Sequence, residues 1–223
     1  MRYTFELIAR SPLLMSCDDI LWAERVKRWV SDPSNRNLAQ DKGDDRCPAW
    51  TWVGRLYHDG ESVAFPSDNL MAALRKAGAS VKLGRSSAKS ISQSAVYIEA
   101  EYLTFTHGGR GDPTPIRPFR GLEGELDFTE HLKLAEKNGF ELFMKRVKPA
   151  GRTAGRHIRI RPRFSDWRVR GELEVTDPRA MTAELLSTLF HVAGRTVGLG
   201  DWRPGAPTPG RYGMFDATVR KAK

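Results

Sequence analysis

The chain has 223 residues, of which 40% are hydrophobic and 28% charged, and its formal net charge is +9. This composition favours a folded, soluble protein, and no apolar run in the chain is long enough to span a bilayer. The N-terminal residues lack the basic-then-apolar pattern of a signal peptide, and the 2 cysteines lack the spacing of a zinc site, so we expect a cytoplasmic protein with reduced thiols.

The first fifty residues predict one strand, one helix and one insertion. Residues 3–10 alternate apolar and polar side chains, which is typical of a strand with one apolar face. A helix is predicted after Asp18 and Asp19, because acidic residues favour a helix N-terminus, and it ends before an Asp-Pro-Ser sequence. Residues 31–48 are polar, and we interpret them as a loop inserted between regular elements.

The middle of the chain predicts two short strands, a helix and a longer strand. Residues 50–66 indicate two strands joined by a turn at residues 58–60, which places their aromatic side chains in the core. A helix follows over residues 68–78 and ends at Gly78, and residues 95–106 alternate as a strand. We interpret the Ser- and Lys-rich segment before that strand, and the Gly- and Pro-rich segment after it, as loops.

The last third of the chain is the clearest in pattern. A short helix ends at Gly139, and two strands follow, over residues 140–149 and 156–164, joined by a glycine-rich turn. The remaining elements are a strand, a helix, a glycine-rich loop and a final strand.

Positive charge is concentrated in this last third. Residues 1–144 carry 19 Lys and Arg against 20 Asp and Glu, whereas residues 145–223 carry 17 against 7. A segregated basic surface is typical of proteins that bind polyanions, because each neutralised phosphate releases condensed counterions. The sequence therefore favours a nucleic-acid partner, and a solvated basic face without a partner is the alternative.

Without the insertions, the predicted order of elements is strand, helix, strand, strand, helix, strand. These six elements cover residues 3–10, 68–78, 95–106, 167–176, 180–194 and 211–220. The βαββαβ order predicts an α+β fold of the ferredoxin-like type, which RNA-recognition motifs share. We expect a single domain over residues 1–223, with insertions at about 31–48 and 107–165, and with Phe5 and Leu7 buried in a central strand.

Two segments of the chain, FPSDNLMAALRKAG and TVGLGDWRPGAPTPGRYGMF, resemble the RAMP superfamily, the repeat-associated RNA-binding proteins of CRISPR effector complexes. The stretch FPSDNLMAALRKAG is similar to the family segment in which a proline and a small polar residue open a helix that ends in basic residues. The stretch TVGLGDWRPGAPTPGRYGMF resembles the glycine-rich loop between the last helix and the last strand of the subunits that line the guide RNA. Ser67-Asp68 and Ala72-Ala73 depart from the first motif, and the chain is short for such a subunit. A stand-alone relative encoded by a phage or mobile element is therefore the alternative.

The resemblance implies a non-enzymatic subunit that binds single-stranded nucleic acid, with RNA as the first expectation and DNA as the second. Such subunits polymerise head to tail, so the expected partners are the strand, copies of this chain and other effector subunits, but no membrane. The alternatives are a metal-independent endoribonuclease of the same superfamily, with His107 as general base, and a phage single-stranded-DNA-binding or assembly protein. We predict no catalytic residue, no metal ligand and no cofactor.

The predicted nucleic-acid-binding residues lie at the end of the helix over residues 68–78, in the basic segment from residue 145 to 163, and in the glycine-rich loop. They are Arg75, Lys76, Lys145, Arg146, Lys148, Arg152, Arg156, Arg159, Arg161, Arg163, Trp202, Arg203 and Arg211. The period of two places Arg159, Arg161 and Arg163 on one strand face, where three guanidinium groups can follow a phosphate backbone. Glycines in the loop would let phosphates approach backbone N–H groups, and Trp202 would stack on a base or, in the alternative, be buried.

Overall fold

The computed structural model of this chain describes residues 1–38, 43–147 and 157–222, which form a mixed α and β structure with antiparallel sheets. The strands are β1 (Arg2–Ala9), β2 (Leu13–Leu14), β3 (Ala64–Pro66), β4 (Lys82–Leu83), β5 (Ser86–Ser87), β6 (Val96–Tyr97), β7 (Tyr102–His107), β8 (Glu141–Val147), β9 (His157–Phe164), β10 (Trp167–Val175) and β11 (Phe215–Lys221). The helices are α1 (Ile20–Ser31), α2 (Ser67–Ser80), α3 (Lys89–Ser94), α4 (Phe128–Lys137) and α5 (Ala183–Val192).

The main sheet has the strand order β11-β1-β10-β7-β3, and β6 also pairs with β10. Strand β1 is central, because it is hydrogen-bonded to β11 on one side and to β10 on the other. Its alternating pattern separates the two faces of the sheet as predicted: Phe5 and Leu7 are buried, whereas Thr4 and Ile8 are exposed. The predicted burial of Phe5 and Leu7 in a central strand is therefore confirmed.

Helices α2 and α5 contact each other, and their apolar residues join the core over the inner face of this sheet. Leu70 and Leu74 are among the buried apolar residues of α2, and Phe190 of α5 packs against Phe5 with the ring centroids 5.5 Å apart. Helix α5 begins after Thr182, whose hydroxyl caps the Leu185 N–H group. Spacing of apolar residues at helical period explains why these two segments fold as helices that cover a sheet.

The second sheet has the order β2-β9-β8 and contains most of the predicted basic segment. Strands β8 and β9 pair antiparallel, from Glu141 opposite Arg163 to Val147 opposite His157. On β9, Ile160 and Phe164 are buried in the core. Arg159, Arg161 and Arg163 alternate with the buried positions and therefore lie on the other face of the sheet, as the period of two predicts.

Four predicted features differ in the structure. The first of the two strands over residues 50–66 is a short 3₁₀ helix, Ala49–Arg55. Trp50 and Trp52 are two positions apart, as residues on one face of a strand would be, and both are buried. Trp50 packs edge-on against Trp22, and Trp52 donates a hydrogen bond to His131 at 3.0 Å. Over so few residues, alternation does not distinguish the two structures.

Helix α2 continues through Gly78 to Ser80, so Gly78 is not a stop. A Cβ at Gly78 would lie 2.3 Å from the Ser92 Oγ atom, so this glycine allows α3 to pack closely against α2. The segment that we predicted as a loop before residue 95 contains β4, β5 and α3, and the predicted strand over residues 95–106 is divided into β6 and β7. Local composition did not reveal these short elements, because packing against α2 stabilises them.

We expect Leu7→Ala to lower the free energy of unfolding by about 2–5 kcal/mol, since it leaves a cavity beside the buried neighbours of β1. Ile8→Ala is the matched control on the exposed face of the same strand and should cost about 0.5 kcal/mol or less. Chemical denaturation followed by circular dichroism measures both. Equal losses for the two variants would contradict the central position of β1.

Candidate nucleic-acid interface

The glycine-rich loop joins α5 to β11 and packs directly on the second sheet. Gly200 and Gly213 both have φ of +69°, a left-handed conformation that glycine adopts without strain. A Cβ at Gly200 would lie 2.4 Å from the Leu14 carbonyl oxygen, and one at Gly213 would lie 1.9 Å from that of Leu199. We expected the loop glycines to admit phosphates. At these two positions they instead allow close packing of backbone against backbone.

This packing holds Trp202 against strand β8. Trp202 has φ of +47°, an uncommon value for a residue with a side chain. Its ring meets the edge of Phe143 at a centroid distance of 6.0 Å, and Tyr212 lies 5.7 Å from the same phenyl ring. We call Phe143, Trp202 and Tyr212 the aromatic platform. All three are half-buried, so Trp202 is neither fully solvent-exposed nor part of the closed core.

Three of the predicted cations contact this platform or the loop that carries Trp202. Lys145 on β8 places its Nζ atom 4.4 Å from the centroid of the Trp202 ring. Arg203 donates a hydrogen bond to the Gly200 carbonyl at 2.7 Å, and Lys76 of α2 donates one to the Gly205 carbonyl. The loop therefore brings together residues from α2, β8 and the loop itself.

The remaining predicted cations are more scattered. Arg75 on α2, Arg146 on β8 and Arg211 in the loop are exposed at the surface. The predicted basic hairpin between β8 and β9, with Lys148, Arg152 and Arg156, lies outside the described residues.

The three arginines of β9 share one face, as predicted, but each is paired with a carboxylate. Arg163 lies 3.4 Å from Glu141. Arg161 contacts Asp201 at 2.9 Å, and its side chain is only 12% exposed. Acidic residues therefore partly neutralise all three guanidinium groups, and their contact with a phosphate backbone stays a prediction.

Asp45 is the acid that Arg159 contacts, and sequence reasoning missed it. One carboxylate oxygen of Asp45 accepts a hydrogen bond from Arg159 at 2.7 Å, and the other accepts one from the Ile160 N–H group at 3.2 Å. The backbone of Gly43 to Asp45 also pairs with Ile158 of β9. The only signal in the sequence was an acidic run in the polar insertion, opposite in charge to the basic strand.

Arg55 is a further cation beside this network that the sequence analysis did not select. It lies at the end of the 3₁₀ helix and donates a hydrogen bond to the Cys17 carbonyl at 3.3 Å. Burial, followed by the positive charges of Arg161 and Arg159, lowers the pKa of the Arg55 guanidinium, while Asp45 opposes this shift. Burial is the main cause of this lowered pKa, and the smaller effects of Arg161 and Arg159 reflect their positive charges near Arg55.

His107, the candidate general base of the endoribonuclease alternative, is 2% exposed. Its Nδ1 lies 3.2 Å from the Gly139 carbonyl and its Nε2 lies 2.8 Å from the Thr114 hydroxyl. Burial lowers the pKa of His107 to about 4, so the imidazole is neutral at neutral pH. The side chain is bonded at both nitrogens inside the core, which is typical of a structural histidine.

Asp18 and Asp19 directly precede helix α1, as predicted. Asp19 caps α1, because its carboxylate accepts the Trp22 N–H group at 3.1 Å. Within the described ranges, no cluster of three His, Cys, Asp or Glu side chains has the arrangement needed to hold a metal ion. Nor does any helix in the described part of the chain have the length and apolar character needed to cross a membrane.

No protein-family model matches this chain, and no curated protein has a similar sequence.

We expect Asp45→Asn to strengthen binding of a single-stranded oligonucleotide by about two- to fivefold at low salt, since it removes a charge that neutralises Arg159 and Arg161. Fluorescence anisotropy with labelled oligouridylate measures the affinity. Asp112→Asn makes the same change of charge in the exposed loop after β7 and should have a smaller effect. Weaker binding by Asp45→Asn would instead mean that Asp45 positions the arginines for the ligand.

Proposed function

We propose that this protein is a sequence-tolerant subunit that binds single-stranded nucleic acid, with RNA as the preferred ligand, and that copies of it assemble along the strand. One observation carries this proposal. The aromatic platform is half-buried at the surface, Lys145 lies over its Trp202 ring, and Lys76 and Arg203 bind backbone carbonyl groups of the loop that carries Trp202.

These side chains suit a flexible strand better than a duplex. An aromatic ring can stack on any unpaired base, because every base has a π face, and cations beside the ring can contact the adjacent phosphates. Neither contact reads the edge of a base, so we expect the protein to bind strands regardless of their base sequence. Lys145 covers the Trp202 ring in the free protein, and a base that stacks there would displace the ammonium group towards a phosphate.

The order of elements supports a ferredoxin-like core of the RAMP type as part of this proposal. Strands β1, β7, β10 and β11 take the places of the four predicted strands, and α2 and α5 those of the two predicted helices. In the sheet these four strands lie in the order β11-β1-β10-β7. The glycine-rich loop also lies between the last helix and the last strand, where the resemblance places the RNA-binding loop.

Charge supports assembly along a strand. The surface around Trp202 in one copy is large enough for only a few nucleotides, whereas the last third of the chain carries an excess of ten positive charges, 17 against 7. A strand that passes from one copy to an identical neighbour, head to tail, would use this charge along its whole length. Other effector-complex subunits would then bind at the ends of such an assembly.

The two alternatives receive less support. An endoribonuclease that uses His107 would need the imidazole to reach the strand, but this side chain is enclosed by the core. A phage single-stranded-DNA-binding protein would use the same platform and the same cations, and only the sugar distinguishes the two ligands. Parallel titrations with oligouridylate and oligodeoxythymidylate separate these cases.

We expect Trp202→Ala to weaken binding of oligouridylate by roughly 5- to 150-fold, which corresponds to about 1–3 kcal/mol for one stacked base. Trp29→Ala is the matched control, because Trp29 is a half-buried tryptophan on α1 and away from the loop. Anisotropy measures affinity, and circular dichroism establishes that each variant is folded. An unchanged affinity in a folded Trp202→Ala protein would rule out the platform as the stacking site.

Assembly predicts that the number of bound copies rises in even steps with the length of the oligonucleotide, and that binding is cooperative. Native mass spectrometry on a series of lengths, from below to several times a site size of about 4–16 nucleotides, measures the stoichiometry. Duplex RNA of the same lengths is the control. A single bound copy at every length would contradict assembly and would leave simple binding intact.

A further inference from the structure

The outer face of the main sheet, opposite α2 and α5, presents a second group of cations. On β10 the side chains of Arg168 and Arg170 alternate with buried residues and lie on this outer face. The register places Thr106 of β7 opposite Arg168 and Thr104 opposite Arg170. Both arginine side chains are about half exposed, at 49% and 50%, so they are open to a ligand.

A small cleft of about 170 Å³ lies at the end of this face, where β7 runs into the loop after His107. Arg110, Arg168 and Arg170 line it together with one carboxylate, that of Asp166. One oxygen of the Asp166 carboxylate accepts a hydrogen bond from the Gly109 N–H group at 3.2 Å. Arg110 is held in place by hydrogen bonds to the Lys137 carbonyl at 3.2 Å and the Thr114 hydroxyl at 3.4 Å.

Glu6 on β1 is the other acid that faces these arginines. It contacts the Nε atom of Arg170 at 2.8 Å, and its closest approach to Arg168 is 3.9 Å. A carboxylate that binds Arg170 through one nitrogen leaves donors of the planar guanidinium free. Three guanidinium groups against two carboxylates therefore leave the cleft with an excess of positive charge.

A larger cavity of about 440 Å³ adjoins this cleft, since Arg170 lines both. The charged side chains of Glu6, Arg170, Glu172 and Arg220 line it. Three threonines, one from each of three strands, line it as well: Thr4, Thr104 and Thr218. Its volume falls in the range of about 300–1,000 Å³ that holds small organic ligands. The small cleft has room only for one chemical group of about the size of a phosphate. The hydroxyl-rich lining suits a sugar better than an aromatic base.

We propose that this outer face is a second ligand site, which binds a phosphate group between Arg110, Arg168 and Arg170 and the attached sugar in the adjoining cavity. Arginine suits phosphate because its fork of donors can bind two phosphate oxygens at once. The site shares no side chain with the aromatic platform or with the cations around it. A free nucleotide and a nucleic-acid strand both offer this chemistry.

The test uses Arg168→Ala/Arg170→Ala, with Arg117→Ala/Arg179→Ala as a control that removes the same charge from exposed positions elsewhere. Inorganic phosphate, uridine monophosphate and labelled oligouridylate are titrated into each protein and into the unaltered chain. We expect the test variant to lose about tenfold in affinity for at least one probe, and the control variant to lose little. Loss for monophosphate identifies a free nucleotide as the ligand, and loss for oligouridylate alone identifies a strand.

Nuclear magnetic resonance of the arginine Nε–H groups in the unaltered protein provides a second measurement that does not depend on the variant folding. Saturable shifts of the Arg168 and Arg170 signals support the site. Absence of these shifts with every probe, or equal affinities of the test and control variants, would overturn it. Trp202→Ala should leave these shifts intact, so failure of the proposed platform and failure of this site are distinguishable.

Discussion

The close contact between the glycine-rich loop and the second sheet is the constraint on which the candidate interface depends. Gly200 allows the loop backbone to approach the Leu14 carbonyl of β2, and Asp201 then reaches Arg161 on β9 at 2.9 Å. These two contacts fix the loop at the residue before Trp202. The tryptophan ring consequently lies over β8, where Phe143 and Lys145 contact it. A side chain at position 200 would separate these elements.

The electrostatic character of this region follows from the same contacts. Asp45 and Asp201 neutralise Arg159 and Arg161, so the arginines of β9 serve the fold as well as any ligand. A carboxylate bound to an arginine occupies the place that a phosphate would take, and a phosphate must compete with it. A phosphate can bind the exposed cations, such as Lys145 and Arg211, with less competition from carboxylates. In the proposed complex a strand would therefore contact the platform and its exposed cations first, and the arginines of the adjacent strand β9 would contact it second.

Sequence patterns predicted the core faces of the elements, which depend on neighbouring residues, and missed ion pairs between residues that are distant in the chain. The alternation around Leu7 and the helical spacing of Leu70 and Leu74 identified the core faces correctly, because a repeating apolar pattern needs one buried surface. The pairing of Asp45 with Arg159 joins residues 114 apart in the chain, and no local pattern encodes such a partner. The loop glycines were recognised as important, but for a ligand contact instead of the internal packing seen at Gly200.

Contact between the aromatic platform and a strand is tested most directly by photocrosslinking an oligouridylate that contains 4-thiouridine. Mass spectrometry then identifies the crosslinked tryptic peptides. Because Arg203 precedes a proline, trypsin leaves the loop as one peptide over residues 196–211, and Lys145 ends a peptide over residues 138–145. If a strand binds at the platform, we expect crosslinks in both peptides, since they carry Trp202 and Phe143. Crosslinks confined to other parts of the chain, with both peptides recovered unmodified, would contradict binding at the platform.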